Sequence, residues 1–545
     1  MSAAGKERAL EELVPGLVPV PPEVRVSDVT LDSRSVRAGA LFLACRGTAR
    51  HGLEYAQQAV GRGARAILYE AGPQSADAPI AASLPASVRQ AVEAGTVFIA
   101  PVPRLAAEAG AIADRFFEAP SRSLTVAGFT GTNGKTTCAY LTAQALTKLG
   151  RRSGYLGTLG CGLPGSIASF DLTTPDAVTV HRQLAALRAL GAECVAMEVS
   201  SHALAQGRVN GVRFRAAAFT NLTRDHLDFH GSMEAYGAAK ARLFERDLAA
   251  RIVNIDDGFG RELARRFAGA PGRMILTGRG SSEPGVRAPA SRTEHLYACD
   301  VRLDPAGVGF TVDSSWGEAR VSAPLLGDFN VDNLLTVIAV LAALDVPLER
   351  AVAVLSACAA PPGRMEIVRG GANDPLAIVD YAHTPDGLAK ALHAARAHCR
   401  GALRVVFGCG GDRDRGKRAP MGRIARALAD EIIVTDDNPR MEDAGQIVAD
   451  ILEGIKGPPG DDAARGERGE RGEHGGASAR APAAVHVQHD RASAIREALA
   501  RSAAADVVLI AGKGHEDYQI VGRERRPFSD QAIAAAFFSA RKGPA

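Results

Sequence analysis

Short apolar runs rich in β-branched residues alternate with helical stretches along almost the whole chain, and this alternation constrains the fold more than any other feature. The runs include ALFLA, ARAILYE, SLTVAGFTG, CVAMEV, AAAFTNL, LRVVFGCGG, EIIVTDD and DVVLIAG. Strands that are separated by helices form parallel sheets with helices packed on their faces. The pattern therefore predicts α/β domains, each with a largely parallel sheet.

The chain is long enough for several domains. It has 545 residues, and one domain commonly takes roughly 100 to 200. Pro and Gly interrupt the alternation in FFEAPSRSL and in CAAPPGRME, which places boundaries near 120 and 360. We therefore predict domains at 1–120, 121–360 and 361–545. Within the last domain, 457–482 is rich in Gly, Arg, Glu and Pro, and it predicts a disordered surface insert because it contains almost no large apolar side chain.

Composition excludes several classes of protein. The 64 Lys and Arg nearly balance the 61 Asp and Glu, which argues against a polybasic nucleic-acid-binding protein. The eight cysteines include no CxxC pair, so neither a disulfide framework nor a thiolate zinc site is predicted. The N-terminus has no secretory signal, and the longest apolar run, near 334–344, is too short to cross a bilayer. We therefore expect a cytoplasmic protein with no nucleic-acid or membrane partner.

The strongest chemical signal is TVAGFTGTNGKTT, which predicts a strand, a glycine-rich turn and a helix. In such a turn, backbone N–H groups at the helix N-terminus approach phosphate oxygens. Lys135 would reach the β- and γ-phosphates, and Thr136 would ligate Mg²⁺. The string departs from GxxxxGK[ST] at Phe129, yet it still predicts an ATP or GTP site. The candidate phosphate-binding residues are Gly131, Thr132, Asn133, Gly134, Lys135, Thr136 and Thr137.

Two further predicted strands end in groups that suit a metal ion. The run CVAMEV delivers Glu198 at its end, and AAAFTNL leads to His226 and His230. Ligand groups gather at the carboxyl edge of parallel strands, so we expect Glu198 to hold Mg²⁺, with His226 as a further ligand or orienting group. Alternatively, His226 and His230, four residues apart, would bind zinc. The lack of a third soft ligand nearby favours Mg²⁺.

The string GSMEAYGAAKARLFE predicts a helix with Ser232 as its N-cap. Lys240 occupies its apolar stripe, where a buried side chain is expected. The commoner outcome is that the aliphatic stem packs while the ammonium reaches water. The alternative is a buried lysine whose neutral form is favoured by desolvation and which is chemically reactive.

Ten strings, in chain order, resemble the muramyl ligase family from about residue 25 to about residue 530. They are GTNGKTT, LTTPDAV, MEVSSHAL, NLTRDHLDFHG, MEAYGAAKARLF, LGDFNVDN, DYAHTPDGL, FGCGGDRDRGKR, TDDNPR and AGKGHEDYQ. The altered phosphate loop is the form that this family shows. The resemblance implies a UDP-sugar domain, a central P-loop ATPase-type parallel sheet and a C-terminal Rossmann-like domain for the amino acid.

The resemblance also implies site residues in the first two domains. It predicts that Lys240 is carbamylated by CO₂ and joins Thr136, Glu198 and His226 around Mg²⁺. Asn333, Asp380 and His383 would contact ATP. The family usually has Asp-Gly where this chain has His51-Gly52, and some relatives have Asn in place of Leu172. The implied UDP-MurNAc-peptide residues are Leu31, Ser33, Thr48, Ala49, Arg50, Thr173, Thr174, Ser200, Gln206 and Arg208.

The activity implied by the resemblance is ATP-dependent amide formation in peptidoglycan precursor synthesis. ATP would phosphorylate the D-glutamate side carboxylate of UDP-MurNAc-L-Ala-D-Glu, and the amine of meso-diaminopimelate would attack the acyl phosphate. Lys135, Glu198, His226 and Lys240 are the expected catalytic residues. An arginine suits the distal carboxylate of diaminopimelate, and DNPR is the family form associated with its addition. The implied amino-acid site contains Arg413, Asp437, Asn438, Pro439, Arg440, Gly512 and Glu516.

Three other functions stay open on sequence alone. They are a lysine-adding member of the family, a ligase like folylpolyglutamate synthetase, and, from another class, a P-loop ATP-binding switch without ligase chemistry. The DNPR and uridine-site strings disfavour the second of these. A monomer is expected.

Overall fold

The structure, a computed structural model, describes residues 7–47, 50–71, 84–170, 172–280, 293–456 and 483–541. Thr48, Ala49 and the predicted insert at 457–482 lie outside the described residues. The described chain divides into two compact units. The first contains the described parts of Met1–Gly278 and Ser282–Leu296 together with Thr336–Val346, and the second contains the remainder.

The first unit alternates strands and helices, as the sequence predicts. Its strands are β1 Arg8–Ala9, β2 Arg25–Val26, β3 Asp28–Thr30, β4 Ala40–Ala44, β5 Ala66–Ala71, β6 Phe98–Pro103, β7 Thr125–Thr130, β8 Ser153–Gly157, β9 Gly160–Leu163, β10 Ser166–Ala168, β11 Cys194–Glu198, β12 Ala216–Phe219, β13 Ala250–Asn254 and β14 Arg273–Arg279. Its helices are α1 Leu10–Leu13, α2 Ala56–Gly61, α3 Ala86–Glu93, α4 Leu105–Phe116, α5 Pro120–Ser123, α6 Lys135–Lys148, α7 Ala177–Ala189, α8 Ser201–Ala205, α9 Leu227–His230, α10 Met233–Ala241 and α11 Gly258–Arg266.

Two parallel sheets organise this unit. The N-terminal sheet has the order β3-β4-β5-β6, and all its pairings are parallel. The central sheet runs β10-β9-β8-β11-β7-β12-β13-β14, parallel from β8 to β14, with β9 and β10 antiparallel at one edge. β7 lies between β11 and β12, so the loops that follow these three strands meet at one edge of the sheet.

The second unit continues the α/β pattern. The elements from here to the end of the chain, two of which begin or end at its border, are β15 Thr293–Asp304, β16 Gly307–Ser314, β17 Gly317–Ala323, α12 Phe329–Ala343, α13 Leu348–Leu355, β18 Glu366–Val368, β19 Leu376–Asp380, α14 Pro385–Ala397, β20 Leu403–Phe407, α15 Arg418–Leu428, β21 Glu431–Val434, α16 Ala444–Lys456, β22 Ala484–Val487, α17 Arg491–Ala500, β23 Val507–Ala511, β24 Tyr518–Val521, β25 Glu524–Pro527 and α18 Asp530–Arg541.

The main sheet of this unit has the order β18-β19-β23-β20-β21-β22. It is parallel except for β18 at one edge. Both faces of this sheet are apolar and buried. Val405 and Leu509 lie on one face, and Val406 and Ile510 lie on the other. Burial on both faces explains why these strands read as continuous apolar runs.

The α/β prediction is confirmed, because each of the eight apolar runs forms a strand. Within the described ranges, no helix combines the length and the apolar character needed to cross a membrane. The domain boundaries near 120 and 360 stay predictions.

Candidate active site and substrate sites

The phosphate loop connects β7 to α6 at the centre of the first unit. Gly131 has a φ of 150° and Gly134 a φ of 85°. A Cβ at Gly131 would lie 1.9 Å from Thr220 Oγ1, so only glycine fits there. Asn221 holds the loop against the end of β12, accepting from the backbone N–H of Thr132 at 2.8 Å through its carbonyl. The backbone N–H groups in the first helical turn of α6 then face the glycine-rich loop, where they are suited to bind an anion.

Lys135 is the first residue of α6, and its side chain folds back across this loop. Its ammonium donates to the carbonyl oxygens of Gly131 and Thr132, each at 2.9 Å. A nucleotide phosphate would replace carbonyl oxygens with charged ones, which bind an ammonium more strongly. Thr136 is buried and Thr137 is half-buried in the same turn. The loop therefore has the construction predicted for a phosphate site.

Glu198 ends β11 beside the phosphate loop and is fully buried. Its Oε1 accepts from Tyr155 Oη and from the Thr158 N–H at 2.9 Å. Its Oε2 accepts from Thr136 Oγ1 at 3.0 Å and from Thr158 Oγ1 at 3.2 Å. All four donors point at the carboxylate, an arrangement that the ionised form satisfies. The structure thus brings Glu198 and Thr136 together, 62 residues apart in the chain.

Lys240 lies in α10, whose N-cap Ser232 accepts from the Ala235 N–H as predicted. The lysine is only 1% exposed, and its Nζ donates to the Gly131 carbonyl at 2.8 Å. The ammonium also lies 4.3 Å from the centre of the Tyr236 ring. The expectation that the amine reaches water is therefore wrong, because the tip as well as the stem is covered.

Burial changes the acid–base behaviour of Lys240. Desolvation, with a smaller contribution from the positive charge of Lys135, lowers the pKa of Lys240 to about 6, and Asp225 opposes this shift. At neutral pH the amine is therefore largely uncharged. A neutral amine is the form that reacts with CO₂, so the geometry supports the carbamylation that the resemblance implies.

His226 lies just before α9, at a left-handed backbone position with a φ of 52°. The His202 ring lies near both predicted histidines, and its centre is 4.8 Å from that of His226 and 5.4 Å from that of His230. His230 is hydrogen-bonded through Nε2 to Ser201 Oγ at 3.0 Å. Burial is the main cause that lowers the pKa values of His202 and His230. The two histidines of the zinc alternative thus lie in a cluster with His202, which sequence spacing did not predict.

The metal prediction can be tested against the donors present. In the part of the chain that the structure describes, no group of three or more His, Cys, Asp or Glu side chains could hold a metal ion, which gives the zinc alternative no support. Thr136 and Glu198 offer hard oxygen atoms at the phosphate loop. Mg²⁺ commonly uses one or two protein oxygens together with substrate phosphates. These residues fit Mg²⁺.

A cleft of about 1200 Å³ opens beside the N-terminal sheet and is lined by the predicted residues Leu31, Ser33 and Arg50. Ser33 is buried and donates to Gln58 Oε1 at 2.7 Å. Arg182 of α7 reaches the first sheet, donating to Asp28 Oδ1 at 2.8 Å. The cleft is thus lined by the N-terminal sheet with its loops and by the start of α7, and Arg182 is a lining residue that sequence reasoning missed.

His51, at the position where the family usually has aspartate, caps a short turn. Its Nδ1 accepts from the Leu53 N–H at 3.0 Å, capping the short 3₁₀ turn Gly52–Tyr55. The proton is therefore on Nε2, which donates to the Glu70 carbonyl at 2.9 Å. His51 thus caps this turn and ties it to the end of β5.

We expect His51→Ala to remove this cap at a cost of about 1 kcal/mol. Hydrogen–deuterium exchange in peptides spanning 50–61 should then become roughly fivefold faster than in the parent protein. His51→Asp, which retains an acceptor, is the matched control and should leave exchange unchanged. Unchanged exchange in His51→Ala would refute the capping role.

The predicted peptide-binding residues form one hydrogen-bonded patch beside Glu198. Thr174 donates through Oγ1 to the Glu198 carbonyl at 2.9 Å and accepts from the Ser200 N–H at 3.1 Å. Arg208 donates to the Thr174 carbonyl at 2.9 Å and to Gln206 Oε1 at 2.8 Å. Thr173 and Thr158 join through their hydroxyls at 3.1 Å. This patch links Arg208 through Thr174 to the backbone carbonyl of Glu198.

The three predicted nucleotide contacts from outside the central sheet belong to the second unit. Asn333 is buried and donates to Asn330 Oδ1 at 2.8 Å. Both Asp380 oxygens accept backbone N–H groups, from Met365 at 2.7 Å and from Ala382 at 2.9 Å. His383 is hydrogen-bonded through Nδ1 to the Tyr381 carbonyl at 2.8 Å. In this arrangement Asp380 holds the backbone just before β18 and just after β19.

The predicted amino-acid residues converge at the carboxyl ends of β21 and β23 in the second unit. Asn438 Nδ2 donates to Glu516 Oε2 at 3.0 Å, and Gly512 is in contact range of Asp437. Arg440 follows the buried Pro439 at a φ of 53° and donates to the Gly411 carbonyl at 2.7 Å. Arg413 is exposed on the neighbouring loop. The arrangement combines carboxylates, an amide and guanidinium groups in one region.

Three domain families match successive parts of the chain. "Mur ligase family, catalytic domain" matches 25–117, "Mur ligase middle domain" matches 129–341, and "Mur ligase, glutamate ligase domain" matches 363–514. A protein of Xanthomonas campestris pv. campestris (strain 8004), named UDP-N-acetylmuramoyl-L-alanyl-D-glutamate--2,6-diaminopimelate ligase, is 47% identical over 536 residues, 98% of each chain. The chain belongs to the Mur ligase family.

Two further comparisons place this Mur ligase. A protein of the same name from Ectopseudomonas mendocina (strain ymp) is 46% identical over 518 residues, which are 94% of this chain and 96% of the relative. A solved structure of a ligase with that name superposes with a TM-score of 0.67 at 30% identity, covering 99% of this chain and 100% of the other. The predicted family and fold class are confirmed.

Sequence reasoning missed several residues of this Mur ligase site. Tyr155 and Thr158, which hold Glu198, gave no signal because hydrogen-bonding to a distant carboxylate leaves no local pattern. Lys513 is fully buried next to Asn438 and Glu516. Its signal was present, because an isolated lysine between two glycines in AGKGHED follows directly on a buried strand.

Proposed function

We propose that this Mur ligase adds meso-diaminopimelate to UDP-N-acetylmuramoyl-L-alanyl-D-glutamate, using ATP, in cytoplasmic peptidoglycan precursor synthesis, and that it acts as a monomer of three domains. The observation that carries the proposal is the 47% identity to a ligase of that name over 98% of both chains. The cluster of Asn438, Arg440 and Glu516 supports it, since the distal centre of diaminopimelate carries one carboxylate and one ammonium.

In the proposed reaction, a side-carboxylate oxygen of D-glutamate attacks the γ-phosphorus of ATP, and ADP leaves. The amine of diaminopimelate then attacks the acyl-phosphate carbon, loses a proton and expels phosphate, leaving an amide. Lys135 and the N-terminus of α6 stabilise the charge on the transferring phosphoryl group. Arg208 and Thr174 hold the peptide next to this loop.

Thr136, Glu198, His226 and carbamylated Lys240 would hold Mg²⁺. The ion supplies charge neutralisation to the phosphate oxygens. Glu198 is oriented for this by its four donors, and Lys240 is oriented by the Gly131 carbonyl. In the second unit, Asn333 and His383 would contact the nucleotide, with Asp380 holding the adjacent backbone.

The decisive test is the amino-acid dependence of phosphate release. Purified protein with ATP, Mg²⁺ and UDP-MurNAc-L-Ala-D-Glu should release phosphate when meso-diaminopimelate is added and stay near background with lysine or with no amine. Equal turnover with lysine would contradict the specificity. Phosphate release that needs no amine would instead point to an ATP-hydrolysing switch.

A further inference from the structure

Three segments of the second unit meet at the proposed amino-acid site. They are the loop at 435–440 after β21, the loop at 512–516 after β23, and strand β24. The first and third are already joined, since the Ile520 N–H donates to Asn438 Oδ1 at 2.9 Å and the Arg440 N–H donates to the Ile520 carbonyl at 3.1 Å. The residues that would bind the amino acid therefore depend on how these segments are held together.

Lys513 belongs to the loop at 512–516, and its side chain extends into the space between the three segments. Its neighbours Gly512 and Gly514 have φ values of 120° and 53°. A Cβ at Gly512 would lie 2.6 Å from Asp437 Oδ2, and one at Gly514 would lie 2.6 Å from Tyr381 Cβ. The two glycines thus permit a close turn that directs the lysine inward, where its side chain is 0% exposed.

The ammonium of Lys513 reaches one residue in each segment. It donates to Asn438 Oδ1 at 2.9 Å, to the Tyr518 carbonyl at 2.7 Å and, more weakly, to Glu516 Oε2 at 3.5 Å. These contacts use the three N–H donors of the group. Asp437 Oδ1 lies 4.0 Å away as an additional negative charge.

The contacts of Lys513 and Ile520 with Asn438 together determine which way its amide faces. Lys513 Nζ and the Ile520 N–H both donate to one side-chain atom, which must therefore be the oxygen. The amide nitrogen is left to face Glu516, and it donates to Oε2 of that residue at 3.0 Å. Lys513 consequently acts on the two predicted substrate contacts at once.

A contribution to the stability of the fold does not by itself explain why the ammonium of Lys513 is buried here. Burial lowers the pKa of Lys513, and the charge of Asp437 opposes the shift. A buried ion is costly to desolvate, and a well-packed apolar side chain of similar volume is often as stable. A buried charge is better explained where it orients other groups.

We propose that Lys513 is a positioning residue, which holds Asn438 and Glu516 in the geometry that receives the incoming diaminopimelate. Lys513 acts through these two residues and need not touch the substrate. The inference rests on the proposed function, because it assigns a role within the same amino-acid site.

The test uses the full-length protein and measures steady-state phosphate release. The variants are Lys513→Met, Lys513→Gln and Lys513→Arg, with Lys390→Met as the matched control on the exposed face of α14. Loss of a hydrogen bond to a charged group predicts an increase in the KM for diaminopimelate of about tenfold or more in the Met and Gln variants. The KM values for ATP and UDP-MurNAc-L-Ala-D-Glu should stay within roughly twofold of the parent, because those sites use other residues.

A double-mutant cycle with Asn438→Ala gives a readout that a structural role would not change. If Lys513 works through Asn438, adding Lys513→Met to Asn438→Ala should raise the KM for diaminopimelate by much less than the single change does. The proposal would be overturned if the KM for diaminopimelate were unchanged in the Lys513 variants. It would also be overturned if the KM increases of Lys513→Met and Asn438→Ala multiplied fully in the double variant, or if all three Lys513 variants failed to fold. An inactive parent protein would instead refute the proposed function.

Discussion

Replacing Lys240 with alanine is expected to reduce diaminopimelate-dependent phosphate release by about 100-fold or more. The residue is buried against the phosphate loop, and its Nζ contacts the Gly131 carbonyl at 2.8 Å. Carbamylation would convert the largely neutral amine into an anion at this place, and alanine offers no amine to carbamylate. Phosphate release with all three substrates present measures the loss.

A carbamate on Lys240 predicts that an added carboxylate can restore activity to the alanine variant. Short-chain carboxylates such as acetate or formate should partly restore Lys240→Ala, because they fit the vacated space and supply an anion. Lys240→Arg should be equally inactive, since arginine introduces a permanent positive charge and cannot be carbamylated. Lys148→Ala, at the exposed end of α6, is the control and should be fully active. A folded Lys240→Ala protein that no carboxylate restores would argue against the carbamate.

The direction in which activity changes with pH follows from the pKa of Lys240. Because the pKa of Lys240 is lowered to about 6, the neutral amine predominates above that pH and the ammonium below it. CO₂ reacts with the neutral form, so activity should fall as the pH decreases through about 6 in bicarbonate-poor buffer, and added bicarbonate should offset part of that decrease. Carbon-13 bicarbonate labelling would detect the carbamate directly by NMR in the parent protein and not in Lys240→Ala.

Glu198→Gln is expected to lower phosphate release by about 100-fold or more while leaving the fold intact. The amide preserves the shape of the side chain. Its oxygen can accept from Tyr155 Oη and the Thr158 N–H, and its nitrogen can donate to the hydroxyls of Thr136 and Thr158 after these rotate. Hydrogen bonding is thereby retained and only the negative charge is lost.

Two measurements distinguish the loss of the negative charge in Glu198→Gln from a loss of stability. The thermal unfolding midpoint of Glu198→Gln should remain within a few degrees of the parent, corresponding to a change of about 1 kcal/mol or less. The Mg²⁺ concentration needed for half-maximal activity should increase. Glu262→Gln, on the exposed face of α11, is the matched control. Activity within a few-fold of the parent would contradict the role of Glu198 at the metal.

Local patterns predicted many of the strands and helices and the glycine-rich loop. The run TVAGFT followed by GTNGKTT predicted β7, the phosphate loop and α6, because strand, turn and helix preferences operate within a few residues. Ser232 likewise capped α10 as predicted. The family resemblance added the predicted amino-acid residues of the second unit, among which Asn438 and Glu516 are joined by a hydrogen bond.

The sequence by itself determined the α/β class, the strand positions and the presence of a phosphate loop, since these depend on periodicity and on neighbouring residues. Only the tertiary structure decided that Lys240 is buried, because its partner Gly131 lies 109 residues away. The same holds for the contact of Lys513 with Asn438, 75 residues apart. Burial and hydrogen bonding between distant segments depend on how the strands are ordered in each sheet, and no local pattern contains that order.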